Sequence, residues 1–104
     1  MKSLDFTADA REHLAAIGEF IADGSNSEIV DRFVAALVAK CTKLASLPGT
    51  LGSPRPDLNA AFRSTPHKGY IIYFRYVDDL LEVIGILDAH RDAATYFTGE
   101  TPKS

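Results

Sequence analysis

The sequence predicts an α+β domain, with a helical hairpin lying on one face of an antiparallel β-sheet. Three observations carry that prediction. Apolar residues recur at helical spacing through the first half of the chain and at a spacing of two in the stretch after residue 60. A break rich in Pro and Gly, residues 48–59, separates the two regimes. The length of 104 residues allows one hydrophobic core, so the helices and strands must share it.

The elements follow in order. Lys2–Phe6 reads as a short strand with Leu4 and Phe6 on one face. Thr7 is a helix N-cap, and Asp9 and Glu12 suit the positive end of the helix dipole. Ala10, Leu14, Ile17 and Ile21 form the apolar stripe of a first helix over residues 8–22, which Gly24 stops. Ser25 with Glu28 makes a capping box for a second helix. Its stripe is Val30, Phe33, Leu37, Cys41 and Leu44, and it ends before Pro48-Gly49. The short connection makes the pair an antiparallel hairpin.

Beyond the break, Ala61–Ser64 suits a short strand. Tyr70–Val77 is rich in aromatic and β-branched residues, as strands are. Asp78-Asp79 is a tight turn leading into the partner strand Leu80–Leu87. A helical turn through Tyr96-Phe97 closes the domain. The order is β-α-α-β-β-β, with one domain over residues 1–98 and a loose C-terminal tail over 99–104. The helices are expected on the face bearing Ile72, Phe74, Ile84 and Ile86. Ile71, Tyr73 and Arg75 then point to the other face, which is solvated or covered by a partner.

Composition restricts function. No apolar run reaches the roughly 20 residues of a membrane span. Residues 1–6 lack the apolar stretch of a secretory leader, so the expected location is the cytoplasm. Cys41 is the sole cysteine and sits on a helical apolar stripe, which marks it as a core residue. His13, His67 and His90 fall on different elements and there is no Gly-rich phosphate loop and no HExxH, so neither a metal nor a cofactor is expected. Net charge is −3, against a simple electrostatic nucleic-acid binder. The charge is uneven, however. Residues 48–77 carry Arg55, Arg63, Lys68 and Arg75 against Asp57 alone, a local net of +3. Arg63, Lys68, Arg75 and Arg91, interleaved with Tyr73, would make a basic patch on the outer sheet face.

The words along the chain also resemble a known family. LGSPRPDLNAAFRSTPHKGYIIYFR, Leu51–Arg75, is similar to the loop-and-strand signature of ParE toxins. His90-Arg91-Asp92 with Tyr96-Phe97 resembles their closing segment, and AREHLAAIGEFIA their first helix. The resemblance implies a RelE/ParE-like fold and the role of toxin in a type II toxin–antitoxin pair. It implies a ParD-like antitoxin as partner, with Leu14, Ile17, Ile21, Val83 and Leu87 as antitoxin-binding candidates. It implies DNA gyrase as the target, met by Arg63, Lys68, Tyr73, Arg75 and Arg91 through protein–protein contact without catalysis. The alternatives are a ribosome-dependent mRNA endoribonuclease of the RelE branch, or a degenerate toxin that only binds its antitoxin.

Nuclease members of the superfamily use convergent Arg and Lys with a Tyr or His near the C-terminus. Here Ile71 and Phe97 stand at two of those places, and Arg55 is the one base between Pro48 and Phe62. No catalytic residue is therefore assigned. The chain also departs from the ParE pattern at Gly85, often basic there, and at Asp88, often His.

Overall fold

The computed structural model describes residues 2–22 and 27–98, and the side chains of all of these except residues 20–22, 27 and 98. The elements are β1 (Ser3–Phe6), α1 (Ala8–Ala22), α2 (Ser27–Ser46), β2 (Ser53–Pro54), β3 (Arg63–His67), β4 (Tyr70–Val77), β5 (Leu80–Asp88) and α3 (Ala93–Thr98). The sheet order is β1-β5-β4-β3-β2. Strands β2 to β5 form an antiparallel meander, and β1 joins its β5 edge in parallel. The α+β class and the helical hairpin followed by the meander are as the sequence predicts.

Local chemistry sets the helix ends. The Thr7 hydroxyl oxygen accepts the Ala10 N–H at 3.1 Å, which caps α1. The Thr7 N–H donates to the Val83 carbonyl at 3.0 Å, so the cap is anchored to β5. The expected stop at Gly24 and cap at Ser25 lie outside the described residues. After α2, Gly49 takes a φ of 77°, a conformation that suits glycine.

The main core lies between the helices and the sheet. Leu37 and Cys41 of α2 and Ala10 of α1 meet Ile72, Phe74, Leu81 and Val83, all fully buried. Burial pushes the Cys41 thiol up to about 11, so it is an inert packing group.

Three expectations need correction. First, the strand expected at Ala61–Ser64 runs instead from Arg63 to His67. Asn59 explains the shift. Its side-chain oxygen accepts the Ala61 N–H at 2.9 Å and its carbonyl accepts the Phe62 N–H at 3.0 Å, so Ala61 belongs to a compact turn. Pro66 is tolerated in β3 because it faces Ile71 across a non-hydrogen-bonded pair, and its nitrogen points to an edge that the two-residue β2 does not reach.

Second, Ile84 and Ile86 do not share a face. Tyr73 pairs with Gly85 and Phe74 with Val83, so Ile84 is the extra residue of a β-bulge. Leu81, Val83 and Ile86 face the helices, while Ile84 and Leu87 face away.

Third, the far face of the sheet is neither solvated nor left for a partner at its centre. Tyr73, Ile84, Leu87 and Ala93 form a second small core there. Leu58 and Phe62 from the 55–62 turn and Tyr96 and Phe97 from α3 close it. The ring centroid of Phe97 lies 5.1 Å from that of Tyr73 and 5.5 Å from that of Phe62, both edge-to-face.

Phe74→Asp would bury an unpaired carboxylate and is expected to abolish cooperative melting. Gly85→Val tests the bulge. A Cβ at Gly85 would stand 2.9 Å from the Phe97 ring, so the variant should lose about 1–3 kcal/mol in urea denaturation. Much of that loss should disappear when Phe97→Ala is present in both chains.

Candidate functional site

Two surfaces contend for function: the basic residues of the sheet, and the end of β5 where it passes α1. The expected basic patch does not converge. Arg63 pairs with Phe74 and lies on the helix side of the sheet, while Arg75 lies on the opposite side beside Glu82. Lys68, with φ of 47°, sits in the β3–β4 turn at the other end of the strands. Arg91 follows β5 at that same end, where the Ala89 N–H donates to the Gly69 carbonyl at 2.9 Å.

Arg63, Arg75 and the neighbouring Arg55 are also engaged. The Arg63 guanidinium donates to the Leu51 carbonyl at 2.6 Å and the Gly52 carbonyl at 3.0 Å, pinning the loop before β2. Gly52 has a φ of 74°, and a Cβ there would fall 2.7 Å from both the Phe74 ring and the Ser64 carbonyl. Arg75 is paired with Glu82 at 2.7 Å. Arg55 is paired with Asp57 at 2.9 Å and lies over the Tyr73 ring at 5.5 Å. The Asp57 hydrogen bond raises the Arg55 pKa further and holds the Asp57 carboxyl below its ordinary range. Tyr73 itself is 2% exposed, so it is a core residue of the second cluster and not part of an open surface.

Arg91 differs. Its guanidinium stacks on the Tyr96 ring at 5.0 Å, and among the described residues no carboxylate lies within ion-pair distance. The neighbouring acids are occupied. Asp88 accepts the His90 N–H at 2.8 Å, and Asp92 caps α3 through Thr95.

Beside Arg91 is a cavity of about 170 Å³. Its wall on α1 is His13, Ala16 and Ile17, and its floor is Tyr70, Ile86 and Leu87, with Asp88 and Arg91 at the rim. Of the antitoxin-binding candidates, Ile17 and Leu87 meet here. Leu14 is half-buried over the main core and Val83 is fully buried beneath the helices. The side chain of Ile21 lies outside the described residues.

Sequence reasoning passed over His13, which organises this corner. Its Nδ1 accepts the Ile86 N–H at 3.0 Å, and its Nε2 is 2.8 Å from the Tyr96 hydroxyl. An accepting Nδ1 puts the ring proton on Nε2, which donates to Tyr96. Burial lowers the His13 pKa, against a pull upward from Asp9; Arg91 lowers it further and Glu12 raises it. Burial, with Asp9 nearby, raises the Tyr96 pKa. The available signal was spacing, since His13 lies three residues after Ala10 and four before Ile17. Among the described residues no group of His, Cys, Asp and Glu is placed to hold a metal ion. No helix there is long and apolar enough to cross a membrane.

The profile of "ParE toxin of type II toxin-antitoxin system, parDE" matches residues 4–93. The chain belongs to the ParE toxin family. It therefore carries the RelE/ParE-like fold of a type II toxin. Solved structures agree with that fold. One titled a chromosomal ParDE toxin–antitoxin system from P. aeruginosa superposes with a TM-score of 0.71 at 21% identity, covering 85% of this chain and 96% of that one. One titled the RelBE2 toxin–antitoxin complex from Mycobacterium tuberculosis superposes at 0.64 with 19% identity, covering 86% and 93%. No curated protein matches the chain.

The His13 arrangement has a sign that can be measured. The folded state keeps His13 neutral at pH values where the unfolded chain, with an ordinary histidine pKa near 6.5, takes up a proton. Its contribution is complete above about pH 6.5 and is lost as pH falls toward the lowered folded value. Urea denaturation of wild type and His13→Gln between neutral and mildly acid pH should show a steeper loss in wild type. His67, also lowered by burial, is common to both and cancels. Equal slopes would show that His13 is not held neutral.

Proposed function

We propose that this ParE-family toxin acts without catalysis, by protein–protein contact with DNA gyrase, and that a ParD-like antitoxin neutralises it in the cytoplasm. The observation that carries this reading is the state of the far sheet face. Cleaving RNA on that face needs cations free to meet a phosphate, together with an acid and a base. Here Arg55 and Arg75 already have carboxylate partners, Tyr73 is buried, and α3 packs across the centre. At the cavity, the Nδ1 of His13 is engaged with a backbone N–H, which removes the base from the one His–Tyr pair nearby.

What stays open is Arg91, exposed and stacked on an aromatic ring, with Lys68 in the adjoining turn. Arginine with aromatic support is a common anchor of protein interfaces. Arg91→Ala should reduce inhibition of gyrase supercoiling by about tenfold or more, with the melting temperature nearly unchanged. Arg75→Ala should have less effect, because its charge is shared with Glu82. The assay is purified toxin with gyrase and supercoiled DNA, run beside ribosomes carrying mRNA. Positional mRNA cuts with gyrase untouched would replace this mechanism by that of the RelE branch.

The antitoxin half of the reading has its own measurement. A partner that binds the folded toxin alone stabilises it by about 4 kcal/mol at 1,000 times its dissociation constant. The protein encoded by the adjoining reading frame should raise the toxin's melting temperature accordingly.

A further inference from the structure

Where α2 passes the end of β3, three basic side chains gather at one corner. His67 pairs with Tyr70 across the β3–β4 hairpin. Tyr70 packs edge-to-face on Phe33 of α2, with ring centroids 5.7 Å apart, and borders the core between helices and sheet. His67, its cross-strand neighbour, therefore also points to the helix side. Burial lowers the His67 pKa, and the charges of Lys68 and Lys40 lower it further, so both ammonium groups stand near the ring. Lys40 comes from α2 and is half-buried. Lys68 stands at the tip of the hairpin with φ of 47°, followed by Gly69 at 86°. Such two-residue turns favour Asn, Asp or Gly, so the lysine is placed there against local preference.

Nothing nearby compensates this charge. Among the described residues Lys40, His67 and Lys68 make no ion pair. The Nε2 of His67 is enclosed and has no hydrogen-bond partner there. Asp88, the acid on the same row of the sheet, is two strands away, roughly 10 Å by strand spacing. A phosphate supplies what the corner lacks, acceptor oxygens and negative charge for two ammonium groups and an imidazole. With a net charge of −3 on the whole chain, such a contact is local and non-specific in sequence.

We propose that Lys40, His67 and Lys68 take a phosphate of the DNA held by gyrase, so that the toxin binds the enzyme–DNA complex across both components. The setting rests on the gyrase reading above. The hydrogen bond from the Ala89 N–H to the Gly69 carbonyl ties the Lys68 turn to the segment that carries Arg91. The two residues then divide one footprint, with Arg91 on the protein and Lys68 on the nucleic acid.

The test uses full-length, nitrogen-15-labelled toxin and a short DNA duplex at low ionic strength, without gyrase. Amide shifts should concentrate at Lys40 and at His67 to Gly69. The logarithm of the binding constant should fall with the logarithm of salt concentration with a slope of about −2 to −3. Lys68→Gln and Lys40→Gln should each flatten that slope by about 1 and weaken binding by about threefold or more. Arg11→Gln, which removes one charge from α1, should change neither. Circular dichroism melts establish that each variant folds. No shifts in wild type, or equal binding by wild type and both lysine variants, overturns the proposal. Inorganic phosphate that gives the same shifts with the same affinity as the duplex would make this a small-anion site and overturn the DNA contact. Tighter binding of RNA of the same sequence would also overturn it. Gyrase inhibition by a toxin that shows no DNA shifts overturns this proposal alone. DNA binding at this corner by a toxin that leaves gyrase untouched overturns the gyrase reading and leaves the DNA contact standing.

Discussion

One extra residue in β5 decides what lies on each face of the sheet. Without the bulge, strict alternation from Leu81 and Val83 would turn Gly85 and Leu87 toward the helices and Ile86 away from them. The bulge places Ile84 and Gly85 together on that face. Ile84 gives α3 an apolar seat, and Gly85, lacking a side chain, leaves room for the Phe97 ring above it. The same irregularity turns the Ile84 carbonyl and the Ile86 N–H outward past the end of β1. Buried backbone groups need partners, and α1 supplies them through Thr7 and His13. The second core, the placement of α3 and the orientation of α1 against β5 therefore share one cause.

The electrostatics follow from that packing. Once α3 and the 55–62 turn cover the centre of the far face, its arginines are displaced to the rim, where acids are within reach. Arg55 takes Asp57, and Arg75, partly exposed, takes Glu82 across the β4–β5 pair. Exposed pairs of this kind add little stability, typically 0–1 kcal/mol. Their effect is on the surface potential, since a region that is net basic in sequence presents largely compensated charge. Arg63 is drawn inward instead, and fixes the loop that carries Gly52 against Phe74.

Both helices and the strand Tyr70–Val77 were readable because their apolar residues recur with one clear period. β5 was readable as a strand but not in its facing. Leu80-Leu81-Glu82-Val83-Ile84-Gly85-Ile86-Leu87 is apolar at nearly every position, so its parity carries no information and a bulge leaves no mark. The short strand was misplaced because Ala61 and Phe62 look extended by composition, while the side chain of Asn59 closes a turn over them. Tyr73 was misread for a related reason. Alternation assigned it correctly to the side away from the helices, but nothing local in the sequence reveals that distant aromatics, Phe62 and Phe97, return to cover it. Arg91 was legible as a candidate. Its isolation from carboxylates was not, because Asp88 and Asp92 flank it in sequence and turn to the backbone N–H of His90 and to Thr95 in space.

His13 gives the corner around the cavity a direction as well as a shape. Its Nδ1 receives a proton-bearing backbone nitrogen, so the neutral ring carries its own proton on Nε2 and passes it toward the Tyr96 oxygen. The Tyr96 hydroxyl is thus an acceptor within this chain of bonds, and burial with Asp9 nearby keeps its own proton in place. The imidazolium form has no lone pair for Ile86, so charging His13 would leave that N–H without its partner at the strand edge. Desolvation and Arg91 both oppose that charge. The guanidinium that stays open to a partner thereby also helps hold His13 neutral, and with it the joint between α1, β5 and α3.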